Sequence, residues 1–186
     1  MAKKKIVIIG LGGMGRSWLR NIKSHPDWEC IGIVDTDTEL LENVTSFGFE
    51  EDQGYMSIED AVQFGEKPDC AVIATPIYSH HSIARECIEL GVNVICEKNM
   101  ASTIYQGRQM VQAALDHPNL CTAVGTQYRY ETSQWTMKKF FQEKENPIGT
   151  LGAIKWESND YRGERRWGWR RFLQEVYLED MSVHWF

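Results

Sequence analysis

The sequence predicts an α/β fold: a doubly wound parallel sheet with helices on both faces, followed by the beginning of an incomplete α+β second domain. Three observations carry this. Short apolar runs alternate with helix-periodic segments over the first two-thirds of the chain, as expected of parallel strands covered on both faces. A glycine-rich turn joins the first apolar run to the first helix. After Gly125 the composition shifts, and aromatic residues crowd into 126–186. The predicted domains are therefore 1–125 and the start of a second at 126–186.

K-K-I-V-I-I-G is the first strand, and from Gly13 to His25 the residues Met14, Trp18, Leu19 and Ile22 recur at helical spacing. Pro26 stops that helix. E-C-I-G-I-V-D is the second strand, and Thr38 to Ser46 reads as a helix ending near Gly48. Ser57, Glu59 and Asp60 open a short helix that reaches about Phe64. D-C-A-V-I-A-T is again a strand. Ile83, Ala84, Cys87, Ile88 and Leu90 form one face of a helix that Gly91 caps. V-N-V-I-C is a strand, Thr103 to His117 a helix with Met110, Val111, Ala114 and Leu115 inward, and L-C-T-A-V-G the last strand of the sheet. A helix from about Thr132 to Lys144, a turn at Pro147-Ile148-Gly149, a strand over Leu151 to Ser158 and a helical segment from Leu173 follow.

The chain has 186 residues, 42% hydrophobic, and a net charge of −6. Acidity disfavours nucleic acid or an anionic membrane as partner, and no stretch approaches the ~18 apolar residues of a membrane span. Lys3, Lys4 and Lys5 before I-V-I-I mimic a signal peptide, but the run is short, glycines break it, and no small-residue cleavage site follows. A cytoplasmic protein is expected. The five cysteines are odd in number and contain no C-x-x-C pair, so buried free thiols are expected and no metal site.

G-L-G-G-M-G matches G-x-G-x-x-G, with a strand before it and a helix after it. Gly10 permits the tight turn, Gly12 lets backbone approach a pyrophosphate, and Gly15 lets helix pack on strand. The helix N-terminus, with Gly13 and Met14, offers N–H groups to the anion. Asp35 ends the second strand, where a carboxylate accepts hydrogen bonds from the adenosine ribose. Asp37 adds negative charge, and no Arg or Lys occurs between residues 24 and 66. These features predict a Rossmann unit that takes NAD over NADP. An adenosyl-methionine methyltransferase uses a similar turn and acidic strand end.

Two more segments sit where strands end. A-T-P-I-Y-S-H, Ala74 to His80, lies at the carboxyl edge, where ligands bind in open α/β folds. Thr75 and Pro76 shape that loop. His80, at the start of the next helix, either faces the ligand or bonds a backbone group, and His81 is expected to be exposed. C-E-K-N places Glu97 and Lys98 just beyond a buried strand. A lysine there can lie beside a nicotinamide and hold a substrate hydroxyl.

Together G-L-G-G-M-G, V-D-T-D, A-T-P-I-Y-S-H and L-G-V-N-V-I-C-E-K-N resemble the Gfo/Idh/MocA family of glucose–fructose oxidoreductase and inositol dehydrogenase. Y-R-Y at 128–130, W-R at 169–170 and D-M-S-V-H at 180–184 extend the resemblance along the chain. The resemblance implies an NAD(P)-dependent dehydrogenase of sugars, cyclitols or related polyols, with a small-molecule substrate and a homo-oligomeric full-length form. Lys98, Asp180 and His184 match the family's catalytic Lys, Asp and His. Thr75, His80 and Glu97 match positions near the cofactor. Tyr128, Arg129, Trp169 and Arg170 are candidate substrate contacts beside Lys98. The chemistry agrees: histidine suits a general base, Asp180 and His184 share a helix face at spacing four, and Lys98 can stabilise a developing alkoxide.

Three departures stand out. Asn99 replaces the proline of the family's Glu-Lys-Pro; a cis bond before a non-proline residue costs about 2.5–4 kcal/mol, so a trans Lys98–Asn99 bond is predicted. The glycine run before Asp180 is absent, with Q-E-V-Y-L-E in its place. The chain is also far shorter than family members, which reads as a fragment that binds NAD and turns over polyol poorly alone. A non-catalytic NAD-binding sensor is the alternative function. Y-R-G-E-R-R-W-G-W-R-R resembles a nucleic-acid patch; a loop lining a polyol or acidic-sugar site suits the net acidity better, with a plain solvated loop the other reading.

Overall fold

A computed structural model describes residues 2–142. It separates into two compact units at the Gly125–Thr126 junction. The first unit runs β1 (Lys4–Ile9), α1 (Gly13–Ser24), β2 (Trp28–Val34), α2 (Thr38–Glu42), β3 (Gly54–Tyr55), α3 (Ile58–Phe64), β4 (Cys70–Ile73), α4 (Ile77–Glu89), β5 (Asn93–Glu97), α5 (Ile104–Asp116) and β6 (Thr122–Gly125). All strands are parallel, in the order β3-β2-β1-β4-β5-β6. Chain order reverses between β1 and β4, which creates a crevice at their carboxyl ends. This is the doubly wound fold that the alternation predicted.

The strands are apolar throughout because both faces are covered. One core layer joins Val7, Ile9, Val34, Ala71, Ile73, Val94 and Cys96 to α3, α4 and α5 through Ile58, Ala61, Ala84, Cys87, Ile88 and Met110. The other joins Ile6, Ile8, Ile33 and Val72 to Leu19 and Ile22 of α1, with Val44 and Phe49 from the segment after α2. Burying each large aliphatic side chain contributes about 1.5–3 kcal/mol.

Caps set the helix starts. Ser57 Oγ accepts the Asp60 N–H at 3.0 Å, and Thr103 Oγ1 accepts the Gln106 N–H at 3.2 Å; both satisfy donors that a first turn leaves orphaned. Asp37 caps α2 by accepting from the Leu40 N–H at 3.2 Å.

Some expectations are corrected. α2 ends at Glu42, and the chain continues as a 3₁₀ turn, Val44–Phe47, before Gly48 turns it at φ 82°. The strand Gly54–Tyr55 is too short to leave a periodic mark. In α5, Val111 and Leu115 point outward, 49% and 67% exposed; Gly107 and Met110 are the buried positions. In α1, Met14 is exposed and Gly15 takes the inward position. Cys87 and Cys96 are buried free thiols, Cys30 and Cys70 are half-buried, and Cys121, just before the edge strand β6, is exposed.

The described part of the second unit holds a 3₁₀ turn, Gln127–Tyr130, and α6 (Thr132–Gln142). The turn at 147–149, the strand over 151–158 and the segment from 173 lie outside the described residues. Among the described residues, no helix is long and apolar enough to cross a membrane.

Candidate functional site

The site is built on the carboxyl ends of four adjacent strands. Gly10 follows β1, Asp35 follows β2, Thr75 lies just past β4, and Glu97 ends β5 with Lys98 next. The strand order arranges them along the crevice as Asp35, Gly10, Thr75, Lys98.

The glycines of the turn have separate reasons. Gly10 adopts φ +88°, and a Cβ on it would stand 2.8 Å from Thr75 Cγ2. That positive φ and that contact both exclude a side chain. A Cβ on Gly15 would stand 1.9 Å from the Gly10 carbonyl oxygen, so helix and turn pack backbone to backbone. Gly12 and Gly13 differ: nothing lies within 4 Å of either hypothetical Cβ. Gly12 is the N-cap of α1, and no side chain caps that terminus. The open space and the uncapped N–H groups at a positive helix end fit a pyrophosphate.

Asp35 does more than end a strand. Its Oδ2 accepts the backbone N–H of Leu11 at 2.8 Å, and its Oδ1 accepts the Asp37 N–H at 3.1 Å. A carboxylate has about four lone-pair sites, so each oxygen retains capacity for a ribose hydroxyl. Arg16, which sequence reasoning missed, donates from Nε to the Leu11 carbonyl at 3.1 Å and lies over the Phe47 ring. The Leu11 peptide is thus held from both ends. Arg16 directly follows the motif in sequence; its approach to Phe47 depends on the fold.

At the β4 end, Ser79 Oγ lies 2.8 Å from both Thr75 Oγ1 and the Pro76 carbonyl. His80 is 1% exposed, and both ring nitrogens face carbonyl oxygens: Nδ1 reaches Asn99 O at 2.7 Å and Nε2 reaches Thr75 O at 2.8 Å. Of the two readings open for His80, bonding to backbone is the one realised. Either neutral tautomer donates only one of these bonds. His81 is half-buried rather than exposed, and its Nε2 is buried with no hydrogen-bond partner.

The Lys98–Asn99 peptide is cis, which corrects the predicted trans bond. The expectation counted only the local cost of the peptide. The carbonyl of the next peptide along, Asn99 O, meets the buried His80 ring.

Glu97 is 5% exposed. Its Oε1 accepts the indole N–H of Trp18, on α1, at 2.8 Å, and its Oε2 accepts the Lys98 N–H at 3.3 Å. Glu97 therefore ties β5 to α1 beneath the crevice, and Lys98 is half-buried beside it. Trp18 is a residue that sequence reasoning assigned only to a helix face.

Tyr128 is half-buried and Arg129 exposed in the 3₁₀ turn of the second unit. Trp169, Arg170, Asp180 and His184 lie outside the described residues. The structure brings together Gly10, Gly12, Gly13, Met14, Gly15, Asp35, Thr75, Pro76, Glu97 and Lys98.

Residues 4–125 match the family described as an oxidoreductase family with an NAD-binding Rossmann fold, GFO_IDH_MocA. The chain belongs to the Gfo/Idh/MocA family. Relatives include glucose-6-phosphate 3-dehydrogenase of Bacillus subtilis, 24% identical across 97% of this chain and 51% of its own length. Inositol 2-dehydrogenase of Rubrobacter xylanophilus is 26% identical across 71% of this chain and 38% of its own. Among solved structures, scyllo-inositol dehydrogenase from Lactobacillus casei with bound NAD(H) and scyllo-inositol shares the fold at a TM-score of 0.71 and 23% identity, covering 79% of this chain and 42% of that one. The chain spans about half the length, or less, of the relatives it matches.

Proposed function

We propose that the whole protein is an NAD-dependent oxidoreductase that transfers a hydride between a sugar, cyclitol or related polyol and the nicotinamide. The observation that carries this reading is the line Asp35, Gly10, Thr75, Lys98 along one sheet edge. Its acidic end suits a ribose, its open helix N-terminus suits a pyrophosphate, and its far end carries the half-buried Lys98. Family membership supplies the reaction class. The polyol substrate follows from the relatives named for glucose-6-phosphate and inositol.

NAD, when bound, supplies the hydride acceptor. The turn and the start of α1 hold the pyrophosphate, and Asp35 holds the adenosine ribose. Lys98 donates to the hydroxyl oxygen and stabilises charge that develops there. His184 takes the hydroxyl proton, and Asp180 orients the His184 ring or holds a second substrate hydroxyl, roles that rest on the family resemblance. Tyr128, Arg129, Trp169 and Arg170 contribute substrate contacts from a second domain that starts at 126. The carboxylates at residues 35 and 37, with the lack of Arg or Lys from 24 to 66, favour NAD over NADP. A cytoplasmic homo-oligomer, engaging neither nucleic acid nor membrane, completes the proposal and rests on the acidic composition and the family.

The test has two parts. Calorimetric titration of this chain should show NAD binding, with NADP weaker. The whole protein should release NADH with one or more members of a polyol panel, while the 186-residue chain does so poorly. Absence of NAD binding would overturn the cofactor reading. NAD binding with no NADH from any polyol would favour a non-catalytic sensor.

A further inference from the structure

The residues on either side of Lys98 are tied to two different helices. On one side, Glu97 accepts the Trp18 indole N–H at 2.8 Å, and Trp18 lies on α1. Glu97 also accepts the N–H of Lys98 itself. Gly125 backs the same carboxylate, since a Cβ there would stand 3.2 Å from Glu97 Oε1. On the other side, the Asn99 carbonyl meets His80 Nδ1 at 2.7 Å, and His80 lies on α4. His80 Nε2 meets the Thr75 carbonyl at 2.8 Å. Both α1 and α4 begin at segments of the cofactor site, the glycine turn and the Thr75 loop.

These contacts exceed what packing requires. A half-buried ring at position 18 is served by phenylalanine. The indole N–H aimed at the buried Glu97 carboxyl adds a directional hydrogen bond that a phenyl ring does not make. A buried ring at position 80 is served by leucine, yet here both nitrogens meet main-chain carbonyls. The lysine ammonium sits on a flexible four-carbon stem. Placing it to a fraction of an ångström needs a main chain fixed on both sides, because about 1 Å of misplacement costs on the order of 10²-fold in rate.

We infer that Trp18 and His80 are positioning residues for Lys98, which they hold through Glu97 and Asn99 between the pyrophosphate helix and the Thr75 loop. The inference rests on the reading of Lys98 as the donor to the substrate hydroxyl.

Four variants test it. Trp18→Phe keeps the ring and removes the N–H. His80→Leu removes both contacts, and His80→Gln keeps an N–H donor. Lys98→Ala tests the underlying reading. In this chain, the rate at which an amine-acylating reagent labels Lys98 is measured by peptide mass spectrometry, with Lys23 and Lys67 as internal references, and NADH affinity by calorimetry. In the whole protein, kcat and KM for the polyol are measured. Trp18→Phe and His80→Leu should change the Lys98 labelling rate against the two references. They should also lower kcat by about 10- to 100-fold with a smaller change in KM and in NADH affinity. His80→Gln should recover part of the loss. Unchanged Lys98 labelling and unchanged kcat in folded Trp18→Phe would overturn the inference, and this half-buried site decides the matter if His80→Leu does not fold. If Lys98→Ala retains kcat, the catalytic reading fails instead, and the labelling rates alone then decide whether Trp18 and His80 place Lys98.

Discussion

Asp35 accepts the backbone N–H of Leu11 at 2.8 Å, so the carboxylate suited to the adenosine ribose also braces the turn suited to the pyrophosphate. Leu11 is 1% exposed, which leaves its N–H little access to water. Two substitutions separate the roles. Asp35→Asn keeps one acceptor, for the Leu11 N–H, removes the charge and sets its amide NH2 against the Asp37 N–H; NAD affinity should fall, discrimination against NADP should narrow, and stability should fall less than in Asp35→Ala. Asp35→Ala also orphans the Leu11 N–H, which costs about 1–3 kcal/mol. Calorimetric Kd values for both cofactors, with urea unfolding, check the pair. Equal stability of the two variants would show that the Leu11 bond is unimportant.

The turn glycines should respond unequally to one added methyl group. Gly15→Ala places a Cβ 1.9 Å from the Gly10 carbonyl oxygen, and helix α1 must shift. A loss of about 1–3 kcal/mol or more follows, with NAD binding abolished. Gly12→Ala meets nothing within 4 Å, so Tm should hold while NAD affinity falls, because the methyl enters the space for the pyrophosphate. Thermal melts beside NAD titrations of both variants give the comparison.

Thiol reactivity should divide along burial. Burial pushes the Cys30 thiol up to about 11 and those of Cys70, Cys87 and Cys96 to about 12, whereas Cys121 is exposed. The thiolate is the nucleophile, so alkylation of the folded protein near neutral pH should add one label, at Cys121. The same shifts bear on alkaline stability. The unfolded chain releases these protons from about pH 9, and the folded chain holds them until pH 11 to 12. The unfolded state therefore binds fewer protons across this window, and stability must fall as pH rises through it. The contribution is fully present below about pH 9. Urea midpoints measured from pH 8 upward should decline; a flat profile would contradict the burial of these thiols.

For the proposed base, His184→Ala in the whole protein should lower kcat by about 10²–10⁴ and leave NAD affinity intact. Stopped-assay kcat and calorimetric Kd together test it, and an unchanged kcat in a folded variant removes His184 from the mechanism.

What the sequence determined by itself was local or periodic. The apolar runs of β1, β4 and β5, the glycines of the turn and the caps at Ser57 and Thr103 each act within a few residues, where backbone sterics and one hydrogen bond decide the outcome. The doubly wound fold and the placement of Asp35, Thr75 and Lys98 at the sheet's carboxyl edge followed from them. Tertiary structure decided what depends on distant partners. Both readings of His80 stayed open until the Asn99 carbonyl, 19 residues on, met its ring. Trp18 looked like a core residue until Glu97, 79 residues on, accepted its N–H. The Lys98–Asn99 bond is cis, against its local preference. Val111 and Leu115 faced outward because the sheet presents one side to α5, and helical spacing alone does not say which of two apolar stripes that side receives.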